Sequence, residues 1–190
     1  MKPAVKLPIR GRERIGGARL SKEKYPERMK NVESSFSIRM ADVPDRPAMI
    51  RVVNAAFAVE QFLEGTRTDD ERMAEMMQKG TFLVAEDAAG KIVASVYTEM
   101  RGERAYFGML AVDPARQGSG LGRQMIEASE KFCRSQGAQY MDIAVLSLRP
   151  ELLPLYRSLG YAESGSEEFK PSRPLKAGVE CHAIIMSKKL

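Results

Sequence analysis

The residues from Ala111 to Met125, AVDPARQGSGLGRQM, place glycines at every second position, Gly118, Gly120 and Gly122. An apolar, strand-like run precedes these glycines and a helix-forming run follows them. Because glycine weakens both kinds of element, its repeated use at this junction indicates that bare backbone is needed there. The amides of a first helical turn lack partners within the helix, and the helix dipole adds partial positive charge. The pattern therefore predicts a site for a phosphate-like anion.

Two familiar phosphate-binding loops do not fit this stretch. A P-loop ends in Gly-Lys-Ser/Thr, whereas Gly122 is followed by Arg123 and Gln124. A dinucleotide fingerprint needs another glycine spacing in an opening βαβ unit, and here three antiparallel-looking strands come first. The alternative to an anion site is a flexible turn with no ligand. If the site exists, its candidate donors are the backbone amides of Gln117, Gly118, Ser119, Gly120, Leu121, Gly122 and Arg123.

The elements that must position this turn follow from hydrophobic periodicity and turn residues. Strands are predicted at residues 35–42, 81–86, 91–100, 103–112, 140–146 and 180–189. A first helix opens at Asp42 or Asp45, and a second, capped by Thr68, ends at Lys79. Further helices follow the glycine turn and span residues 151–159. The predicted order β-α-α-β-β-β-α-β-α-β is an α/β fold around a mixed sheet.

The charge of the chain divides sharply between its two parts. Residues 1–35 contain ten Lys or Arg and four Glu, a net charge of +6, whereas residues 36–190 carry −1. We interpret residues 1–35 as a basic, disordered extension and residues 36–190 as one domain. A basic arm for nucleic acid or anionic lipid is the alternative. No apolar core follows these charges as a secretory signal requires, and Met29 is an alternative start.

The chain contains too few cysteines and histidines for a disulfide framework or a zinc cluster. The chain has two cysteines, far apart in sequence, and one histidine. We therefore expect free thiols, a cytoplasmic location and no metal. No run approaches the roughly 18 apolar residues of a membrane span.

Two segments resemble the GNAT-type N-acetyltransferase superfamily. The stretch LAVDPARQGSGLGRQMIEASEKFCRSQG is similar to its acetyl-CoA signature, R/Q-x-x-G-x-G/A, which residues 117–122 match in full. The segment LYRSLGY at residues 155–161 resembles the family's later LYEKLGF-like motif. The resemblance extends over about residues 36–190. It implies a GNAT-like, mostly antiparallel central sheet flanked by helices.

The resemblance also implies how acetyl-CoA would bind. The cofactor's pyrophosphate would lie on the amides of residues 117–123. The strand before the glycine turn would splay from its neighbour and pair with the pantetheine arm through the backbone of Leu110 and Val112. These two residues also suit a plain core strand, and both interpretations can hold because backbone and side chains act separately.

Acetyl transfer requires a neutral amine and a proton for the leaving thiolate. A lysine-like amine with a pKa near 10.4 is almost fully protonated at pH 7, whereas an α-amine near 7.7–8.0 is partly neutral. Tyr156 resembles the family's tyrosine that protonates coenzyme A; the alternative is a helix tyrosine that only packs. The family often has Asn seven residues before this tyrosine and Ala four before, where this chain has Arg149 and Leu152.

The general base is less clearly marked in the sequence. Glu60 follows the apolar face of the first helix at helical spacing and precedes a segment that borders the acceptor site in this superfamily. The alternative is a solvated residue at a frayed helix end. Glu99, His182 and bulk water are the other candidates.

The sequence thus predicts an acyl-CoA-dependent N-acyltransferase. We expect direct transfer of acetyl from acetyl-CoA to a primary amine of a small molecule or peptide, with no membrane or nucleic-acid partner and with a homodimer as an option. Two alternatives are a non-catalytic module that binds acyl-CoA and a nucleic-acid-associated protein acting through its basic tail.

Overall fold

The structure of the chain, a computed structural model, describes residues 36–169 and 173–190. The basic extension interpreted at residues 1–35 lies outside the described residues, and its boundary stays a prediction. No helix within the described ranges is long and apolar enough to cross a membrane.

Seven strands of the described chain form one sheet in the order β1-β2-β3-β4-β5-β7-β6. Their bounds are β1 (Ser37–Met40), β2 (Thr81–Glu86), β3 (Ile92–Arg101), β4 (Arg104–Val112), β5 (Tyr140–Leu146), β6 (Ala162–Glu168) and β7 (His182–Lys189). Neighbouring strands are antiparallel except β4 and β5, which are parallel. The predicted mixed, mostly antiparallel sheet is confirmed.

Helices cover both faces of this sheet. Their bounds are α1 (Arg46–Ala56), α2 (Asp70–Lys79), α3 (Leu121–Ser135) and α4 (Leu152–Ser158). Side chains of α1 and α2 pack with one core, around Met49, Val53 and Phe82. Side chains of α3 and α4 pack with the other, around Met125 and Phe107. Each helix buries one apolar stripe, as the periodicity predicts.

Two expectations about the elements are wrong. The cap of α2 is Asp69, whose carboxylate accepts the Arg72 amide at 3.0 Å, and not Thr68. Thr68 is instead buried, and its amide donates to the Asn54 side chain at 2.9 Å. The local sequence predicts Thr68 as the cap, but in the fold this residue makes a tertiary contact with Asn54 instead.

The second error is β6, which the sequence does not reveal. This strand, AESGSEE, is exposed at every position and lacks the alternating large apolar residues of a half-buried strand. It lies at the edge of the sheet and pairs with β7 alone. Backbone pairing rather than burial defines it, so the chain ends β-α-β-β instead of β-α-β.

Candidate active site

The parallel strands β4 and β5 separate partway along their length. They pair only from Arg104 opposite Tyr140 to Tyr106 opposite Asp142. Beyond Tyr106, no β5 residue pairs with the rest of β4, which continues to Val112. The splay that the resemblance implies is therefore present. An open strand edge of this kind offers backbone groups to an extended ligand.

A bulge in β4 lies beside this opening. Tyr97 of β3 pairs with Gly108 and Ser95 pairs with Ala111, so β4 holds one extra residue between these pairs. Met109 has a left-handed φ of 51°, unlike any other non-glycine residue in the described ranges. Such a conformation costs a non-glycine residue of order 1–3 kcal/mol and is typical of functional segments.

The bulge changes which way the end of β4 faces. Leu110 and Val112 pack against the core under α3, whereas Met109 and Ala111 pack against the core under α1. The side chains of Leu110 and Val112 thus lie partly buried against this core. Their expected backbone role towards a pantetheine arm is compatible with this packing and stays a prediction.

The connection from β4 to α3 consists of a short 3-10 helix, Pro114–Arg116, followed by the glycine turn. Gly118 has φ of 77° and Gly120, the residue before the helix, has φ of 80°, so both positions require glycine conformations. No side chain caps the helix at Gly120. Gly122 has an ordinary backbone, and a Cβ there would lie 3.8 Å from Val112 Cγ2. The first-turn amides of α3 are therefore open to a ligand, as the phosphate-site interpretation needs.

Side chains of the turn hold its backbone in place. The Gln117 amide group donates to the Val112 carbonyl at 3.2 Å, and the Ser119 hydroxyl donates to the Arg116 carbonyl at 2.6 Å. The Leu121 side chain is buried in the core, whereas Arg123 is exposed. Leu121 can therefore offer a ligand only its backbone.

Tyr156 projects from α4 into an aromatic cluster at the opening. Its ring lies 6.1 Å from that of Phe107, the first β4 residue beyond the paired region, and 6.0 Å from that of Tyr161. The residue is 9% exposed, and its hydroxyl makes no hydrogen bond to the described residues. Burial raises the pKa of Tyr156 to about 12. The hydroxyl is thus protonated at neutral pH and has no hydrogen-bond partner within residues 36–169 and 173–190.

Glu60 is buried, so the alternative of a solvated residue at a frayed helix end is wrong. Its side chain is 5% exposed and lies between two guanidinium groups. Oε2 is 3.4 Å from Arg67 Nη1, and Oε1 is 3.2 Å from Arg149 Nη1. Burial raises the pKa of Glu60, and the two arginines oppose that rise.

The other base candidates have different surroundings. Glu99 accepts from Arg101 Nε at 3.0 Å and from the Tyr97 hydroxyl at 3.2 Å. The hydrogen bond from Arg101 is the main reason that the pKa of Glu99 is lowered, which makes it a weaker base. His182 is exposed at the start of β7, where its amide donates to the Ser147 hydroxyl.

Sequence reasoning misses three residues that the fold brings to this site. Arg67 and Arg149 both contact Glu60. Tyr106 is packed near Arg67 and Tyr156, and burial raises the pKa of its hydroxyl. Only Arg149 carries a sequence signal, since it replaces the Asn of the resembling family. Nothing in the sequence around Arg67 indicates that it shares a carboxylate with Arg149 of the β5–α4 loop.

The α1–α2 connection, residues 57–69, is held in place by the segment before β7. Leu63 forms a bridge with Leu175, and the Glu64 amide donates to the Pro174 carbonyl at 3.0 Å. These contacts fix the segment that carries Glu60 against another part of the chain. Glu60 itself contacts Arg67, which reaches Met109 of β4, and Arg149 of the β5–α4 loop. It therefore lies near the opening between the separated ends of β4 and β5, which we call the cleft.

Gly108 leaves room for the Tyr106 side chain. A Cβ at residue 108 would lie 2.5 Å from the Tyr106 hydroxyl oxygen and 2.9 Å from its ring. We expect Gly108→Ala to displace Tyr106 and to lower the free energy of unfolding by about 1–3 kcal/mol, as overpacking does. Denaturant unfolding measures this, with Gly165→Ala as the control because its Cβ meets nothing within 4 Å. Equal stability of the two variants would contradict this packing.

Comparison with known proteins places this architecture in a family. Residues 52–172 match the family described as the acetyltransferase (GNAT) domain. An L-methionine sulfoximine/L-methionine sulfone acetyltransferase of Pseudomonas aeruginosa is 30% identical over 142 residues, which are 69% of this chain and 83% of that protein. A mycothiol acetyltransferase of Propionibacterium freudenreichii is 26% identical over 141 residues. The match covers 70% of this chain but only 45% of that longer relative.

Solved structures share the fold. The ribosomal-protein-S18-alanine N-acetyltransferase of Escherichia coli has a TM-score of 0.65 and 22% identity, covering 81% of this chain and 93% of its own. A putative acetyltransferase of Salmonella typhimurium, solved with its cofactor acetyl-CoA, has a TM-score of 0.64 and 23% identity, covering 83% and 95%. The family match and the shared fold agree with the splayed strands and the open helix start, and the chain belongs to the GNAT acetyltransferase family.

Proposed function

We propose that this chain transfers an acetyl group from acetyl-CoA to a primary amine by direct attack. The observation that carries the proposal is the arrangement around β4. Its open edge is followed by the glycine turn and the start of α3, and Tyr156 packs against Phe107 where the pairing with β5 ends. This arrangement supports a backbone edge for the pantetheine arm, an anion site for the pyrophosphate and a proton donor on one side of β4.

The described residues fit acetyl-CoA, which supplies an acetyl group activated as a thioester. Its pyrophosphate would be bound by the amides of residues 117–123, where Gly118 and Gly120 leave open space around the backbone. Leu110 and Val112 would hold the pantetheine arm through backbone groups of the open edge. Acetyl-CoA in the solved Salmonella neighbour supports this ligand for the shared fold.

Tyr156 would donate the proton that the leaving thiolate needs. A thiol has a pKa of roughly 8.5, so the thiolate is only a moderate base. With its own pKa raised to about 12, the Tyr156 hydroxyl keeps its proton throughout the neutral range. It is therefore available as a hydrogen-bond donor to developing negative charge on sulfur.

Glu60 would accept the proton that the amine loses, directly or through water. Burial raises the pKa of Glu60 and makes its carboxylate a stronger base than an exposed one, while the charges of Arg67 and Arg149 oppose that rise. Among the described residues, no other carboxylate lies between these two guanidinium groups. A buried carboxylate with a raised pKa beside the cleft suits this role.

We expect Glu60→Gln to lower kcat/KM by about 100-fold or more near pH 7, in the usual range for a lost base. The deficit shrinks as pH rises towards about 9.5, because the free amine then supplies its own neutral form. Steady-state rates across pH measure this, with the exposed neighbour Glu64→Gln as control. A deficit that is constant across pH would assign Glu60 a positioning role alone.

A panel of amines tests which acceptor the protein acetylates. Purified protein is mixed with acetyl-CoA and single amino acids, peptides, polyamines or aminosugars, and thiol release is followed. The panel includes L-methionine sulfone, because a relative is named for it. Thiol release with at least one amine supports the proposal. Binding of acetyl-CoA without release for any amine would instead indicate a non-catalytic acyl-CoA-binding module.

Two further proposals concern the cellular location and the oligomeric state of the protein. We propose a cytoplasmic protein that acts without a membrane or nucleic-acid partner, with a homodimer as an option. Fractionation and light scattering test these points.

A further inference from the structure

We propose that Arg67 and Arg149 bind a carboxylate of the acceptor, so that the preferred substrates are molecules with an acid group close to the reacting amine, as in free α-amino acids. This inference rests on the proposed acetyl transfer and names its substrate class. It depends on the charge, the free donors and the position of these two arginines.

The surroundings of Glu60 carry an excess of buried positive charge. Two guanidinium groups converge on the one buried carboxylate of Glu60. Arg149 also contacts Glu151, but the Glu151 side chain is 60% exposed, so water weakens that pair. Arg67 and Arg149 are themselves only 22% and 21% exposed. The cleft wall thus holds more buried positive than negative charge, and an anion would balance it.

Each arginine keeps a guanidinium nitrogen that Glu60 does not use. Each arginine uses Nη1 for Glu60, and neither Nη2 has a hydrogen-bond partner among residues 36–169 and 173–190. Neither Nη2 is among the buried, unpaired side-chain atoms of the described residues. A planar guanidinium suits a carboxylate, which it binds through paired, charge-assisted hydrogen bonds.

Contacts within the protein already hold both arginines in place. Arg67 lies over the Phe57 ring at 4.8 Å, and its Nε is 3.4 Å from Met109 Sδ. Arg149 is tied to Glu60 across 89 residues of sequence. Side chains held this way lose little freedom on binding, which favours affinity.

Both arginines lie close to the groups that we propose for acetyl transfer. Met109, which Arg67 contacts, directly precedes Leu110 on the open edge of β4. Arg149 is close enough to the Tyr156 hydroxyl to oppose the rise of its pKa. An acceptor carboxylate held by both arginines would therefore keep a neighbouring amine beside Glu60 and near Tyr156, the proposed proton donor to the leaving thiolate.

Wild-type protein gives the first test. Thiol release is compared for L-methionine, L-glutamate and L-phenylalanine and for the carboxamide of each. The amide removes the negative charge while keeping the amine and side chain. We expect kcat/KM to be about 10- to 100-fold higher for the best acid than for its amide, the range for hydrogen bonds to a charged group. Equal or higher values for every amide would overturn the inference.

Variants give the second test. Arg67→Gln and Arg149→Gln should each lower the ratio of kcat/KM for the acid to kcat/KM for its amide by about 10-fold or more. Both arginines also contact Glu60, so the rate with the amide falls too, and the ratio is the quantity that tests the inference. Arg157→Gln is the control, since Arg157 is an exposed arginine of α4 paired with Glu163. Arg67→Lys and Arg149→Lys keep the charge beside Glu60 and lose the planar donors, so they test the inference even where a glutamine variant unfolds. A preference unchanged in all four variants would contradict it.

Binding measurements separate this inference from the proposed function. The best acid and its amide are titrated by calorimetry into protein saturated with coenzyme A. Tighter binding of the acid, lost in Arg149→Gln, supports the inference even if no turnover occurs. Turnover of amides and simple amines with no acid preference would leave acetyl transfer standing and reject the carboxylate site.

Discussion

Replacing Gly122 with aspartate is expected to weaken acetyl-CoA binding by about 100-fold or more. The new carboxylate would lie in the first turn of α3, where the pyrophosphate is proposed to bind. Two like charges about 5 Å apart repel by roughly 3 kcal/mol at an effective dielectric constant near 20. The fold should tolerate the change, because a Cβ at residue 122 meets Val112 Cγ2 at an ordinary 3.8 Å. An acidic residue also suits a helix start.

Calorimetric titration with acetyl-CoA measures the loss, and thermal unfolding checks the fold. Gly122→Asn is the control of equal size without the charge and should keep most of the affinity. Gly120 is less suitable, because its φ of 80° would add backbone strain to any substitution. Equal affinity for the aspartate and asparagine variants would reject the phosphate site at the start of α3.

Tyr156→Phe should lower kcat and kcat/KM alike, by about ten- to a thousand-fold, with acetyl-CoA binding little altered. The substitution keeps the ring against Phe107 and removes a hydroxyl that has no protein partner in the described chain, so stability should hardly change. We expect the lower end of this range, because the thiol of coenzyme A is not strongly basic. Since the pKa of Tyr156 is raised to about 12, the deficit should not vary between about pH 6 and 9.

Tyr161→Phe is the matched control for this result. Tyr161 belongs to the same aromatic cluster, but its hydroxyl donates to the buried Glu130 at 2.8 Å. Loss of this hydrogen bond should lower the free energy of unfolding by about 1–3 kcal/mol and leave kcat nearly unchanged. Wild-type rates for Tyr156→Phe with the best amine would end the case for Tyr156 and leave solvent as the proton donor.

Features that depend on local sequence are the ones that could be predicted. The glycine turn, the helix stripes and the half-buried strands follow from backbone freedom and periodicity, and the structure confirms them. The edge strand β6 could not be predicted, because its seven exposed residues carry no burial pattern. The left-handed Met109 also escapes prediction, since such positions usually hold glycine or asparagine.

The residues of the candidate site also differ in how well the sequence predicts them. The residues at 117–123 form a continuous segment whose chemistry can be read directly. Glu60, by contrast, looks like a helix-end residue until the fold brings Arg149 to it from 89 positions away. Long-range pairs of charged residues leave no periodic signal, so a single sequence does not reveal which of its arginines share a carboxylate.

The central claim is that the acetyl group passes directly from acetyl-CoA to an amine in this cleft. Acetyl-CoA with an isotopically labelled acetyl group, incubated with the protein and its best amine, tests this by mass spectrometry. We predict the label on the nitrogen of the acceptor, in amounts equal to the thiol released, with none attached to the protein. Label held on the protein, or released only as free acetate, would contradict direct transfer.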